Sequence, residues 1–276
     1  MYKRVLTIQD ISCLGQCSGT VALPLISACG HECCIIPSSV LSTHTGGFTG
    51  FTFKDLTEEM PKIRQHWEKE GLFFDCVYTG YLGSARQIDY VSDIMDSRLK
   101  EGGLRIVDPA MADNGKLYTG FDMEFVSAMR QLCAGADYLL PNITEAALLT
   151  GMEYKNEYDE GYVINLCRGL EDLGAGKIIL TGVKFEPGTT GVYVHGPEGS
   201  DYYKHKEISS GCHGTGDVYA SVFTGALMGG KSDIEAARTA ADFVVECITG
   251  TRTDPDHSYG VKFEPEIPKL IKMLGL

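Results

Sequence analysis

From Val5 onward the chain alternates short β-rich runs with segments of helical periodicity, and this alternation constrains its fold more than any other feature. Val5–Gln9, Cys33–Ile36, Cys76–Tyr78, Leu104–Val107, Asp137–Leu140 and Lys177–Leu180 read as strands. Thr20–Cys29, Leu56–Trp67, Ala85–Leu99, Met123–Leu132, Thr144–Leu149 and Tyr162–Leu173 read as helices between and after them. Strands separated by helices return in parallel, because only a crossover of that length carries the chain back to the same end of a sheet. The expectation is an α/β fold, a doubly wound, mostly parallel sheet with helices on both faces. Two alternating runs, Gly191–His195 and Tyr202–Glu207, flank Gly196-Pro197-Glu198-Gly199 and predict a small β-hairpin near residues 190–207. Helical patterns follow at Gly216–Met228, Ser232–Ile248 and Pro265–Leu274, and no linker or repeat interrupts residues 1–276, so one domain is expected.

Composition narrows the function classes. With 43% hydrophobic and 22% charged residues over 276 positions, the chain can bury a large core. Its 37 acidic and 24 basic residues leave a net charge of −13, which repels phosphate backbones and anionic membranes, so neither nucleic acid nor membrane is expected as a partner. The start lacks an export-type apolar stretch and no run approaches ~18 apolar residues, which predicts a cytoplasmic protein. The ten cysteines are therefore expected to be reduced thiols, and their spacing does not suit zinc.

Open α/β sheets bind ligands beyond the carboxyl ends of their strands, so the polar residues after each predicted strand are where chemistry is sought. Gly225 to Ser232 matches the P-loop pattern in letters, but it falls at a helix end rather than between a strand and a helix. Gly211-Cys212-His213-Gly214-Thr215-Gly216-Asp217 has the better context, directly before a helix whose free N–H groups favour an anion such as a phosphoryl group. Asp108, Asp113, Asn142 and Glu145 offer hard oxygen donors suited to Mg²⁺ held through water and phosphates. Each also has a plain structural reading: Asp108-Pro109 as a turn, Asn142 or Thr144 as a helix N-cap, and Glu145 in the first turn behind it. Ser42 to Gly47 can be an ordinary polar loop with His44 hydrogen-bonded at the surface, and Gly80 to Ser84 an ordinary strand-to-helix turn. The glycine-containing loops Thr43–Thr52 and Asp113–Gly120 are lid candidates.

Taken together, Ile8-Gln9-Asp10, Leu41 to Gly46, Gly80-Tyr81-Leu82-Gly83-Ser84, Asp108-Pro109 through Tyr118, Pro141-Asn142 with Glu145, and Gly214-Thr215-Gly216-Asp217 resemble the ribokinase superfamily, and within it the pyridoxal (vitamin B6) kinases. The resemblance spans roughly residues 5 to 250 in order. It implies ATP-dependent phosphorylation of the 5′-hydroxymethyl group of pyridoxal, pyridoxine or pyridoxamine, with Mg²⁺, a monovalent cation such as K⁺, and a homodimer. It implies Asp217 as general base, with the amides of Gly214, Thr215 and Gly216 stabilising the transferring phosphoryl charge. Asp108, Asp113, Asn142 and Glu145 fall at positions associated with the cations and the triphosphate, with Asp113, Asn142 and Glu145 as the metal set. Tyr118 and Thr181 fall near the nucleotide, and Asp10, Thr45 and Tyr81 match the vitamer pocket.

The chain departs from that pattern at Asp10, where many relatives have serine, at Gly19 (asparagine), at Gly47 (tyrosine) and at Gly182 (serine). These departures bear on substrate preference rather than on phosphoryl transfer. A kinase for another hydroxymethyl compound, such as hydroxymethylpyrimidine, and a non-catalytic binding protein on the same fold are the alternatives.

Overall fold

The computed structural model describes all residues except 1, 209–211, 255 and 258. The chain runs β1 (Arg4–Ser12), α1 (Gly19–Ala28), β2 (Glu32–Leu41), β3 (Phe53–Asp55), α2 (Met60–Lys69), β4 (Phe74–Thr79), α3 (Ala85–Arg98) and β5 (Leu99–Val107). A small ribbon of β6 (Ala112–Asp113) and β7 (Lys116–Leu117) precedes α4 (Met123–Ala134), β8 (Tyr138–Leu139), α5 (Ile143–Thr150) and α6 (Glu160–Leu173). Then come β9 (Lys177–Val183), β10 (Thr189–Gly196), β11 (Gly199–Lys206), α7 (Thr215–Met228), α8 (Asp233–Thr251) and α9 (Ile267–Leu274).

Among the described residues nine strands form one sheet in the order β11-β10-β9-β8-β5-β4-β1-β2-β3. The stretch from β2 to β9 is parallel throughout, as the alternating pattern requires. β3 pairs antiparallel at one edge, and the β10–β11 hairpin closes the other. One core lies beneath α2 to α6, built on residues such as Ile88, Met129, Leu149 and Leu166. The other lies beneath α1, α7, α8 and α9, built on Leu25, Phe223, Phe243 and Leu270. Helices thus cover both faces. Among the described residues no helix is long and apolar enough to cross a membrane, and all ten cysteines are free.

The chain leaves β1 for β2 on one side and later returns to lay β4 on the other. The strand order therefore reverses at β1, where a crevice opens at the carboxyl ends. β1 stops pairing with β4 at Ile8 but follows β2 as far as Ser12, with a register shift between Gln9 and Ile11. Such a bulge re-aims the side chain it carries, and here that residue is Asp10. The sequence pattern missed β3 and the β6–β7 ribbon, since strands of three and two residues leave no period to read.

The P-loop look-alike is resolved by packing. Gly225 lies inside α7, and Ser232 starts α8 with its N–H donating to Glu235 Oε2 at 2.9 Å. Gly225 is glycine because α7 crosses α1 there: a Cβ would stand 2.4 Å from Cys29 Sγ. Gly225→Ala gains about 1 kcal/mol of helix propensity and loses about 1–3 kcal/mol to overpacking. The expected result in a thermal melt is a midpoint lowered by about 2–4 °C per kcal/mol of net loss. An equal or higher midpoint would show that the helices can part without cost.

Candidate active site

The Gly214-Thr215-Gly216-Asp217 loop is held by one close backbone approach. Gly214 is the N-cap of α7 at φ +79°, and a Cβ on it would lie 1.9 Å from the carbonyl oxygen of Gln16. Only glycine satisfies both conditions. The α7 N-terminus is thereby seated on the β1–α1 loop, with Asp217 in its first turn. A Cβ on Gly216 would meet nothing, so the loop surface there is open to a ligand. Gly211, first residue of the motif, lies outside the described residues.

A cavity of about 480 Å³ opens beside this loop, lined by Asp108, Asp113, Tyr118, Asn142, Glu145, Thr181 and Gly214 to Asp217. The structure thus brings together every residue that the sequence associated with nucleotide, metal and phosphoryl transfer. Asp10, Thr45 and Tyr81 do not line that cavity; Asp10, near the end of β1, and Tyr81, just after β4, lie close to each other. Asp10 is buried, accepts a hydrogen bond from Ser12 Oγ at 3.1 Å, and has Tyr81 and Asp217 within reach of its charge. Tyr81 is half-buried and stacks on Phe121 with ring centroids 5.4 Å apart, while Thr45 is exposed in the loop above. Gly19 is glycine for want of room: a Cβ there would stand 2.8 Å from both the backbone carbonyl oxygen of residue 10 and Ile35 Cδ1.

Local hydrogen bonding explains how the acidic residues are held. Asn142 caps α5, its Oδ1 accepting from Glu145 N at 2.9 Å while Glu145 Oε2 accepts from Asn142 N at 2.9 Å, a reciprocal capping box. Glu145 Oε1 also accepts from Met111 N at 3.1 Å, and Asn142 Nδ2 donates to the Ala112 carbonyl at 2.8 Å. Asp113 accepts from the backbone and side chain of Asn114. The plain reading of Asn142 and Glu145 therefore holds locally, while both side chains still face the cavity. Asp108 is buried and, among the described residues, makes no side-chain hydrogen bond.

The electrostatics are one-sided. Burial, with Glu145 and Asp217 nearby, holds the Asp108 carboxyl well above the usual carboxylate range. Burial pushes Glu145 up to about 8 against its backbone hydrogen bonds, and Asp217 up to about 7 against the Ser18 N–H, with Asp10 adding to the rise. Asp10 is raised too, by burial opposed chiefly by the Ser18 and Ser12 hydroxyls. An uncompensated cluster of carboxylate and amide oxygens fits a hard divalent cation. Among the described residues no three His, Cys, Asp or Glu side chains stand close enough to cage an ion by themselves.

Sequence reasoning missed two parts of this site. Ser18, the N-cap of α1, makes no cap hydrogen bond and sits at φ 52°, ψ −131°, a backbone better suited to glycine. Its N–H is directed at Asp217 and its hydroxyl at Asp10, and a serine before a helix gives no sign of that in the sequence. The second is the apolar wall that Tyr219, Val244, Val245 and Ile248 present to the cavity, hidden because helical periodicity does not distinguish core from cavity lining.

Comparison with known proteins fits this geometry. The sequence pattern of the phosphomethylpyrimidine kinase family matches residues 26–261. A candidate phosphomethylpyrimidine kinase from Bacteroides thetaiotaomicron, solved in one crystal form with pyridoxal, is 39% identical in that form, with 99% of this chain and 96% of that one covered and a TM-score of 0.90. Pyridoxal kinase from Lactobacillus plantarum is 30% identical over 98% of this chain and 97% of that one, also with a TM-score of 0.90. The pyridoxine/pyridoxal/pyridoxamine kinase of Bordetella pertussis is 27% identical over 262 residues, covering 90% of this chain and 89% of its own.

The raised carboxyls have a thermodynamic consequence. These acids hold their proton more tightly in the folded than in the unfolded chain, so stability of the ligand-free protein declines as pH rises from about 4, where the unfolded chain titrates, to about 8, where Glu145 does. Asp108→Asn removes one buried charge and is expected to raise the unfolding midpoint more at pH 8 than at pH 5. Equal shifts at both pH values would show that Asp108 carries no such burden.

Proposed function

Because the chain belongs to the phosphomethylpyrimidine kinase family, we propose that it phosphorylates the 5′-hydroxymethyl group of a B6 vitamer at the expense of ATP. The observation that carries this reading is the position of Asp217, between a nucleotide-sized cavity on one side and the Asp10–Tyr81 pair on the other, at the open N-terminus of α7. The likeness to proteins named pyridoxal kinase, and to one solved with pyridoxal, supports the vitamer over hydroxymethylpyrimidine as acceptor.

Phosphoryl transfer asks the protein to position two oxygens in line and to neutralise charge, with little covalent chemistry. Asp217 accepts the proton of the acceptor hydroxyl, and a pKa near 7 matches it to that task at neutral pH. The amides of Gly214, Thr215 and Gly216 meet the phosphoryl oxygens at the positive end of α7. Tyr118, Thr181 and the apolar wall of α8 hold the nucleoside, and Asp108 lies beneath the phosphates. Asp113, Asn142 and Glu145 are the residues that would hold Mg²⁺ through water, and the resemblance to the B6 kinases adds a monovalent cation such as K⁺. A bound divalent ion neutralises phosphate charge that a protein of net charge −13 cannot neutralise unaided. We read the enzyme as cytoplasmic on its free thiols, and as a homodimer on its resemblance to the B6 kinases.

Asp217→Asn is expected to lower kcat for pyridoxal by about 10²–10⁴-fold, the usual contribution of a general base, while ATP affinity by calorimetry stays close to wild type. Turnover like that of the wild type would remove Asp217 from the mechanism. Asp10 sets a second expectation. Its buried carboxylate gains most from a cation, and pyridoxamine alone among the three vitamers carries an ammonium on its 4′ carbon. A charge-assisted hydrogen bond contributes roughly 1.5–3 kcal/mol, so Asp10→Ser is expected to lower kcat/KM for pyridoxamine about ten- to a hundredfold more than for pyridoxine. Equal losses would show that Asp10 does not read the amine.

A further inference from the structure

Loops from four distant parts of the chain meet on one buried side chain, His44, in the connection between β2 and β3. Its Nδ1 accepts the Gly46 N–H at 3.1 Å, so the ring proton sits on Nε2, which donates to the Tyr259 carbonyl at 2.7 Å. The His44 N–H donates to the Leu14 carbonyl at 3.3 Å, tying it to the β1–α1 loop. Its ring stands edge-on to Phe48, centroids 5.2 Å apart, and 5.4 Å from His213, the residue before Gly214. Two glycines make room for this arrangement: a Cβ on Gly15 would lie 2.1 Å from His44 Cδ2, and one on Gly46 would lie 2.7 Å from the His213 ring.

This imidazole is therefore not a surface group on a polar loop. Both ring nitrogens are spoken for by backbone, and the ring is flanked by those of Phe48 and His213. The turn it anchors carries Thr45, exposed between His44 and Gly46, and Gly46 packs against the ring of His213, the residue before Gly214. A turn that is ordered before the acceptor arrives spares the ordering cost that binding would otherwise incur.

We propose that His44 is a positioning residue: as the Nε2–H tautomer it latches the Thr45–Gly47 turn to the Gly214-Thr215-Gly216-Asp217 loop and to Tyr259, so that the acceptor side of the site is pre-set. The inference rests on reading the site as a vitamer kinase, and it assigns the latch to the acceptor and not to the nucleotide, whose cavity His44 does not line.

Three variants separate the two hydrogen bonds. His44→Asn keeps an acceptor where Nδ1 stands and loses the donor to Tyr259; His44→Gln keeps a donor where Nε2 stands and loses the acceptor for Gly46; His44→Ala loses both. The expected outcome is an acceptor KM raised about two- to tenfold in the first two, from the loss of one hydrogen bond, and further in the third, with the ATP KM within twofold of wild type. Amide exchange of residues 45–47 in the ligand-free protein is expected to quicken in the same order. An unchanged acceptor KM in His44→Ala, unchanged exchange at 45–47, or equal rises in both KM values would overturn the latch. If the wild-type protein phosphorylates no vitamer, the functional reading fails while the exchange measurement still decides whether His44 holds the turn.

Discussion

The contact on which the site depends is the approach of Gly214 to the Gln16 carbonyl, closer than any residue with a side chain permits. It fixes the start of α7 against the loop leaving β1, and so brings an open helix N-terminus to the carboxyl end of the central strand. Asp217 then faces the cavity on one side and Asp10 on the other. Without that approach the sheet would still present its crevice at β1, but the start of α7 and the loop leaving β1 would have no fixed relation. The β1–α1 loop meets a second demand at Ser18, whose strained backbone turns its N–H to Asp217 and its hydroxyl to Asp10. Strain of this kind persists where surrounding structure over-determines it, as the packing of Gly19 on Asp10 does here.

Around this frame the protein folds with carboxyls whose ionisation is penalised by burial. Asp108, Glu145, Asp217 and Asp10 lie close enough to raise one another or to be raised by burial, and the groups that relieve them are chiefly hydroxyls and backbone amides. A carboxylate cluster of this kind costs stability and is the expected mark of a site whose balance comes from what it binds. Glu145 and Asn142 serve two places at once: their reciprocal hydrogen bonds cap α5, and both residues line the cavity.

Much of this was legible in the sequence because periodicity is set by burial. Parallel strands buried on both faces and helices with one apolar stripe leave distinct patterns, so the helices, the parallel strands and the β10–β11 hairpin could be read in order. The ring of cavity residues was legible because it follows strand ends, and the false P-loop at Gly225 was rejected because helix context outweighs a pattern of letters. What escaped was set by tertiary contact alone. Nothing local to Ser18 distinguishes a strained turn from an ordinary helix cap, and nothing local to His44 distinguishes a buried, backbone-bonded imidazole from a surface histidine. Short β3 and the β6–β7 ribbon escaped because pairing, rather than composition, makes them strands.

The central claim is that this site delivers phosphate from ATP to a B6 vitamer. It is tested most directly by direct competition, with wild-type protein, MgATP and equal pyridoxal and hydroxymethylpyrimidine in one tube, and both phosphorylated products quantified by chromatography at early times. The account predicts pyridoxal 5′-phosphate as the dominant product. Dominant hydroxymethylpyrimidine phosphate, or ATP consumed with neither product formed, would contradict it.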